Sequence, residues 1–278
     1  MNFVKFEIVM VDKELETLVK KYKELTSNHI INFDKFNHYA IVHHSNGIEG
    51  STLSLDETFL LLDEQLTPKN KPLEHSLMAV DHLEALNYIL SLAESKTKLT
   101  LSHIQQLSAY ILKGTGSEIS SMGGTFDSSK GDFRLNTVVA GVTMFPNYQK
   151  VPRLVQELLD DINKNIDNST GYKEANYLAF VAHFQMVSIH PFADGNGRLS
   201  RLLMNYVQHY HKEPLSIIYQ EDKSDYIKSL VATRKQEDPR IFAAFMFSQA
   251  KKHLKAQVKK IENKPSVKKK IRGMRFLF

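Results

Sequence analysis

Apolar residues recur along most of the chain at three- and four-residue steps, the spacing that places side chains on one face of an α-helix. In the first such segment, residues 12–25, the apolar positions are Leu15, Leu18, Val19 and Tyr22. The same spacing predicts further helices over residues 33–47, 73–93, 102–112, 151–166, 173–187, 199–211, 225–235 and 239–256. Ser54, followed three residues later by Glu57, has the spacing of a capping box and predicts one more helix start.

One segment breaks the helical pattern. Residues 114–152 are rich in Gly and Ser, and residues 133–139 alternate as Phe-Arg-Leu-Asn-Thr-Val-Val. Alternation with a period of two is typical of a strand, so we expect a small β-hairpin there. The predicted fold class is therefore mainly α with one hairpin.

Composition and charge narrow the function classes. A chain of 278 residues that is 42% hydrophobic can bury the core of a large domain, and the absence of cysteine excludes disulfides and thiolate metal sites. No apolar run approaches membrane-spanning length and the first residues do not resemble a signal peptide, so we expect a cytoplasmic protein without a membrane partner. Much of the net charge of +5 lies in the last thirty residues. A solvated basic tail is the favoured interpretation, and an acidic partner the alternative.

The segment from Ile189 to Arg201 collects the residues that carry chemistry. Pro191 disfavours helical geometry at the preceding residue, so a helix should end near His190 and leave its imidazole at the mouth of a loop. Gly195 and Gly197 allow the backbone to approach a ligand closely, and the following helix presents free N–H groups. These features predict a binding site for an anion.

Three further side chains in this segment define the kind of anion. Arg198 and Arg201 are three residues apart on one helix face and can reach successive phosphates. Asp194 supplies a hard oxygen ligand suited to Mg²⁺, which usually binds through one or two carboxylates plus substrate phosphates. The residues therefore predict phosphoryl-transfer chemistry.

The same segment resembles the HxFx(D/E)GNGRxxR signature of the Fic domain family, with every defined position matched. The resemblance extends over residues 99–247 and implies a Fic-type helical bundle with a β-hairpin flap beside the active site. It leaves residues 1–98 as an N-terminal helical region and residues 248–278 as a basic tail. The implied activity is the transfer of AMP from ATP onto a Ser, Thr or Tyr hydroxyl of a target protein.

The resemblance also implies a role for each residue of the signature. His190 would be the general base, Asp194 would hold Mg²⁺, and the remaining roles concern the ATP phosphates. The implied phosphate ligands are the backbone of Gly195, Asn196 and Gly197 for the α- and β-phosphates, and Arg198 and Arg201 for the β- and γ-phosphates. Doc-type relatives that transfer the γ-phosphate have lysine in place of Gly195, so AMP transfer is favoured. Transfer of UMP or phosphocholine stays open.

Residues 45–50, Ser-Asn-Gly-Ile-Glu-Gly, resemble the family's inhibitory motif (S/T)xxxE(G/N). The resemblance implies that Ser45 and Glu49 belong to an inhibitory helix in the region 1–98. A glutamate paired with Arg201 would occupy the place of a γ-phosphate, and it could also orient a water that removes AMP. The alternative is a helix end with Gly50 as its stop.

Further candidates concern contacts with the target protein, contacts with the adenine, and binding partners. The hairpin residues Phe133, Arg134, Thr137 and Val138 are expected to form a target-docking flap, the alternative being a hairpin that only covers the core. Tyr226 falls where the family often places an aromatic residue near the adenine, and a core tyrosine is an equal alternative. Self-modification is expected and a homodimer stays open. A nucleic-acid-binding regulator is the competing hypothesis, against which the intact His190 argues, since a ligand sensor needs no base.

Overall fold

The computed structural model describes residues 13–27, 33–140 and 143–263. The α-helices in these ranges are α1 Lys13–Ser27, α2 Phe33–Ile48, α3 Leu55–Glu64, α4 Leu73–Glu94, α5 Leu101–Ile111, α6 Val151–Asn165, α7 Tyr172–Ile189, α8 Asn196–Tyr210, α9 Lys223–Gln236 and α10 Pro239–Glu262. Short 3₁₀ turns cover Ser128–Lys130, Tyr148–Lys150, Ile166–Asn168 and Gln220–Asp222. The mainly α-helical prediction is confirmed, and each predicted helix overlaps an observed one.

Local signals account for several helix ends. The Ser54 hydroxyl accepts a hydrogen bond from the Glu57 N–H, and the Glu57 carboxylate accepts one from the Ser54 N–H, so the predicted capping box is present. Such a cap satisfies backbone donors that a helix start leaves unpaired. One helix boundary near the signature differs from the prediction. Helix α8 begins at Asn196, three residues earlier than expected, so the helix start lies at the glycines of the signature.

The core is built around α7 and α8. These two helices pack on each other, α4 covers α8, and α5 and α10 complete the surroundings. Phe180, Leu202 and Tyr206 are fully buried between them. Burial of each such side chain contributes about 1.5–3 kcal/mol relative to exposure, so this packing stabilises the helices that flank the signature.

Two small hairpins lie between α5 and α6. Strands β1 Glu118–Ser121 and β2 Gly124–Asp127 pair antiparallel, and β3 Val139–Ala140 pairs with β4 Thr143–Met144. The strand expected over residues 133–139 is wrong except at its last residue, because residues 133–138 belong to no strand. The reason is Arg134: its backbone N–H donates to the Pro191 carbonyl, 3.1 Å away, instead of to a neighbouring strand.

The ends of the chain bear on the predicted division into regions. Helix α10 runs without interruption through position 247, where the catalytic core was expected to end, and reaches Glu262. The rest of the basic tail, residues 264–278, and residues 1–12 lie outside the described residues. The division into 1–98, 99–247 and 248–278 stays a prediction. In the part of the chain that the structure describes, no helix combines the length and apolar character needed to cross a membrane.

Candidate active site

The loop that joins α7 to α8 begins with a strained residue. Helix α7 ends at Ile189, and His190 takes the left-handed conformation with φ 53° and ψ 61°. Its N–H still donates to the Met186 carbonyl, 3.1 Å away. The left-handed region is uncommon for a residue other than Gly, so surrounding contacts must hold this conformation. The helix end expected before Pro191 is therefore observed.

The His190 imidazole is held face to face with a phenylalanine. The ring centroids of His190 and Phe145 are 4.0 Å apart, with 23° between the ring planes. The Nδ1 atom of His190 is buried, so Nε2 is the nitrogen available to a substrate. Phe145 directly follows β4, so the second hairpin reaches the predicted base.

Burial lowers the pKa of His190 to about 4. Arg134 and Arg234 lower this pKa further, whereas a backbone interaction with Val187 and the charge of Asp194 raise it. The imidazole is therefore neutral at pH 7 and able to accept a proton. A bound polyphosphate would bring negative charge close to the ring and raise its pKa toward the range in which a general base is most effective.

The residues predicted to form an anion cradle lie at the start of α8. Gly195 has φ 75°, and Asn196 opens the helix. The Asn196 side chain points back into the loop, where it accepts from the Phe192 N–H at 2.9 Å and donates to the Phe192 carbonyl at 2.8 Å. Its amide thereby braces the loop, which leaves the backbone N–H groups at the helix start to meet a ligand.

Both signature arginines are buried beside this helix start. Arg198 is 2% exposed and Arg201 is 3% exposed. The Nε of Arg198 and the Nη1 of Arg201 are buried without a hydrogen-bond acceptor in the described part of the protein. An unpaired buried donor costs about 1–3 kcal/mol, so both positions fit an external acceptor such as a phosphate oxygen.

Asp194 lies at the open edge of the cradle. Its side chain is 75% exposed and accepts a hydrogen bond from Nη2 of Arg198 at 3.3 Å. An exposed carboxylate next to the predicted phosphate site fits Mg²⁺, which keeps several water ligands and binds substrate phosphates. The residues present therefore fit the metal implied by the signature.

The end of α2 occupies the other side of the cradle. The Nε of Arg201 donates to the Ser45 hydroxyl at 2.7 Å, and Nη2 donates to the Ser45 carbonyl at 3.1 Å and to Oε1 of Glu49 at 2.5 Å. A Cβ atom at Gly197 would lie 2.3 Å from the same Oε1. The Glu49 carboxylate thus lies directly over the helix start, where only glycine leaves room for it.

The charge state of Glu49 follows from this arrangement. Burial acts to raise the pKa of Glu49, but the charges of Arg201, Arg198 and Lys223 and the hydrogen bond from Arg201 outweigh it, so the pKa is lowered from its ordinary value. Glu49 is therefore ionised at neutral pH, and its carboxylate accepts a charge-assisted hydrogen bond from Nη2 of Arg201.

Helix α2 is held in place by polar contacts that the sequence did not indicate. The Gln220 side chain lies 3.1 Å from Nε2 of His43, and its backbone N–H donates to Nδ1 of His44 at 3.5 Å. The Asn46 Oδ1 lies 3.1 Å from Nδ1 of the fully buried His82. These pairs join residues more than 30 positions apart, so no local pattern could have revealed them.

The predicted flap residues divide into two groups. Arg134 is completely buried, so the expectation that it contacts a target protein is wrong; its guanidinium is used inside the protein instead. Thr137 is exposed, Val138 is half-buried, and the half-buried Phe133 ring lies 5.3 Å from the Phe192 ring. A docking role for these three residues stays a prediction.

Tyr226 is a core residue in this structure. It is 2% exposed, and its hydroxyl lies 3.2 Å from Nε2 of His183, which is fully buried. Burial raises the pKa of Tyr226 to about 12. Its predicted contact with adenine therefore stays a prediction, while the structural alternative matches the observed burial.

Comparisons with known proteins agree with this geometry. Residues 98–208 match the family model described as "Fic/DOC family". The chain is 29% identical over 240 residues to "Protein adenylyltransferase Fic" of Drosophila melanogaster, covering 84% of this chain and 46% of that protein. The protein of the same name from Drosophila willistoni is 30% identical over 209 residues, covering 75% of this chain and 39% of that protein. The chain thus spans less than half the length of these relatives.

Solved structures give the same answer for the fold. A Fic domain containing signaling protein from Bacteroides thetaiotaomicron superposes with a TM-score of 0.77 at 26% identity, covering 91% of this chain and 99% of that one. Fic-1 from C. elegans superposes with a TM-score of 0.71 at 21% identity, covering 90% of this chain and 72% of that one. The matched segment 98–208 contains the whole loop from His190 to Arg201, so the chain carries a domain of the Fic/DOC family.

Proposed function

We propose that this chain is a protein adenylyltransferase that moves AMP from Mg-ATP onto a Ser, Thr or Tyr hydroxyl of a target protein and is inhibited by its own Glu49. The observation that carries the proposal is the pair of buried arginines at the start of α8, each with an unpaired N–H donor, beside a neutral His190. The Drosophila relatives are named protein adenylyltransferases, which supports the same activity.

The reaction can be written on this chain's residues. Nε2 of His190 accepts the proton of the target hydroxyl, and the hydroxyl oxygen attacks the α-phosphorus of ATP. The bond between the α-phosphorus and the bridging oxygen breaks, and pyrophosphate leaves with the negative charge. Backbone N–H groups at Gly195, Asn196 and Gly197 and the guanidinium of Arg198 stabilise that charge, and the product is an AMP ester on the target.

Mg²⁺ belongs to the proposal through Asp194. Bound to this carboxylate and to the phosphates, the ion would neutralise part of the charge that develops on the leaving pyrophosphate. The exposed position of Asp194 supports this role.

Glu49 gives the proposed enzyme a brake. Its contact with Arg201 removes the partner that a γ-phosphate needs, so ATP would bind with its α-phosphate badly aligned for in-line attack. We include removal of AMP in the proposal, because the same ionised carboxylate can orient a water toward an AMP ester. Self-modification and a cytoplasmic location are further parts of the proposal, and a homodimer stays open.

The decisive experiment follows the label. Purified full chain and its Glu49→Gly variant are incubated with ATP labelled at the α-phosphate and, separately, at the γ-phosphate, and protein-bound label is measured. AMP transfer predicts label from the α-position only. Label from the γ-position would replace AMP transfer by phosphate transfer, and no label from either would reject ATP as donor and direct the test to UTP and to CDP-choline.

A further inference from the structure

Arg134 joins its own segment to the catalytic loop and to the residues that follow β4. Its Nε donates to the His190 carbonyl at 2.7 Å, Nη1 donates to the Asn136 carbonyl at 2.5 Å, and Nη2 donates to the Pro146 carbonyl at 2.6 Å. The side chain is completely buried. A guanidinium presents its donors in a fixed planar fork, so these three bonds define where the three carbonyls lie relative to one another.

The bond to His190 acts on the strained residue itself. His190 adopts a left-handed conformation, and its carbonyl direction belongs to that conformation. The backbone N–H of Arg134 also donates to the next carbonyl, that of Pro191, at 3.1 Å. Arg134 therefore holds two consecutive peptide groups of the catalytic loop, which favours the left-handed backbone over the ordinary helical one.

The bond to Pro146 acts on the imidazole from the other side. Pro146 directly follows Phe145, whose ring lies flat against the His190 ring at 4.0 Å. The guanidinium carbon of Arg234 lies 5.7 Å from the Phe145 ring centroid, and Nε of Arg234 donates to the Ser188 hydroxyl at 3.2 Å. The imidazole is thus fixed by its own backbone and by a stacked ring, and Arg134 binds both supports.

We infer that Arg134 is a positioning residue for the general base: its fork fixes the His190 backbone and the stacked Phe145 ring in one arrangement. The inference rests on the proposed function for the role of His190 as base. It also couples the hairpin β3–β4 to the base, because Asn136 and Pro146 lie before and after that hairpin and both bind the same guanidinium. A target protein that docks on the hairpin would therefore meet the His190 imidazole in a fixed position relative to the hairpin.

The first test needs no enzymatic activity. The histidine ring signals of the full chain are followed by NMR from pH 8 to pH 5, and the His190 signal is assigned as the one missing from His190→Ala. In the wild type this signal should stay that of a neutral ring, because burial keeps the pKa of His190 near 4. Phe145→Ala exposes the ring, so the His190 pKa should rise toward 6.5, by about one unit or more.

Two substitutions of Arg134 separate its fork from its charge. The charged groups that act on His190 are Arg134, Arg234 and Asp194, so Arg134→Met raises the His190 pKa on electrostatic grounds alone. Arg134→Lys keeps the charge but cannot serve three carbonyls, so a shifted His190 signal in this variant identifies the fork. A His190 titration in Arg134→Lys and Phe145→Ala that matches the wild type would overturn the inference.

A matched control addresses folding. Phe126 is as well buried as Phe145, 4% against 6% exposed, but lies in β2 and has no ring contact with His190 in the described residues. Phe126→Ala should lower stability without moving the His190 pKa. If it moves the pKa as far as Phe145→Ala does, the effect is general loosening and the positioning role is rejected.

Transfer rates then connect the inference to catalysis. In a Glu49→Gly background, Arg134→Lys should lower kcat for AMP transfer about 10-fold or more with little change in KM for ATP, since the phosphate ligands are untouched. An equal rise of KM at constant kcat would contradict positioning of the base. If no protein transfers AMP while the NMR shifts occur as expected, the proposed function fails and the positioning of His190 by Arg134 stands.

Discussion

The two arginines of the cradle have the same burial but opposite environments. Arg201 gives three hydrogen bonds of 2.5–3.1 Å to the end of α2. Arg198, one turn earlier on the same helix, gives only two long ones, 3.3 Å to Asp194 and 3.4 Å to the Ile111 carbonyl. Arg201 is therefore held by the protein itself through Nε and Nη2, whereas the contacts of Arg198 are long.

Under the proposed function, this difference would let nucleotide binding and productive alignment be controlled separately on one helix. In the proposed function, the guanidinium of Arg198 would still meet a nucleotide phosphate while Glu49 holds Arg201. The brake should consequently act on the geometry of the bound phosphates more than on affinity. Substitutions near each arginine test whether the two functions are separate. The first is at His190, the predicted base, on which transfer depends in either case.

His190→Ala should cause the largest loss. In a Glu49→Gly background it should lower AMP transfer by about 10²- to 10⁴-fold, because a general base contributes rate factors of that size. Nucleotide affinity should stay close to that of the parent, since the cradle is unchanged. Labelling with α-labelled ATP and calorimetric titration with ATP measure the two quantities. Near-parental transfer in His190→Ala would show that His190 is not the base. The control is His209→Ala, which removes a histidine outside the catalytic loop and should leave transfer unchanged.

Asp194→Ala tests the predicted metal ligand, which contacts Arg198. Loss of the carboxylate that would hold Mg²⁺ should lower transfer by about 10²- to 10³-fold and weaken the dependence on Mg²⁺ concentration, because a metal ion supplies several kcal/mol of charge stabilisation. Mg²⁺ titrations of transfer in both proteins measure this. Asp160→Ala, which removes an exposed carboxylate from α6, is the control. An unchanged Mg²⁺ requirement in Asp194→Ala would move the metal site elsewhere.

Glu49→Gly tests the side of Arg201 and should raise self-labelling. A hydrogen bond to a charged group is worth about 1.5–3 kcal/mol, so the expected gain is about 10- to 100-fold. Adding Arg201→Ala should cancel the gain, because that variant has neither the brake nor the γ-phosphate ligand. Glu49→Gln keeps a hydrogen-bond acceptor but no charge, so its self-labelling should lie between that of the wild type and that of Glu49→Gly. Equal labelling of wild type and Glu49→Gly would remove the brake and leave the catalytic loop assignment intact.

Ser45→Ala should have the smallest effect on the same side. Arg201 loses the hydroxyl acceptor at 2.7 Å but keeps Glu49 and the Ser45 carbonyl. A single lost hydrogen bond of about 1 kcal/mol predicts an increase in self-labelling of about 3- to 10-fold. Ser51→Ala, just beyond the inhibitory motif, should leave labelling at the wild-type level. A gain as large as that of Glu49→Gly would show that Ser45, rather than the carboxylate, holds the brake.

The sequence was most informative where a function is local in the chain. His190 to Arg201 lie within twelve residues, so helix periodicity, the restriction before Pro191 and the two glycines were enough to predict a base, an anion site and a metal ligand close together. The prediction was weaker in residues 133–139, where alternation suggested a strand. Arg134 occupies one of the alternating positions for a different reason, since its side chain binds carbonyls from two distant segments.

By itself, the sequence determined the helical fold, the contents of the catalytic loop and the motif that contains Glu49. The motif resemblance implied that Glu49 meets Arg201, and the tertiary structure places the two in contact across 152 positions of chain. Only the tertiary structure decided that Phe145 covers the His190 ring and that Arg134 is buried. The physical reason is range: caps, periodicity and proline restrictions act within about one helical turn, whereas burial and ion pairing depend on which distant surfaces the packed core brings together.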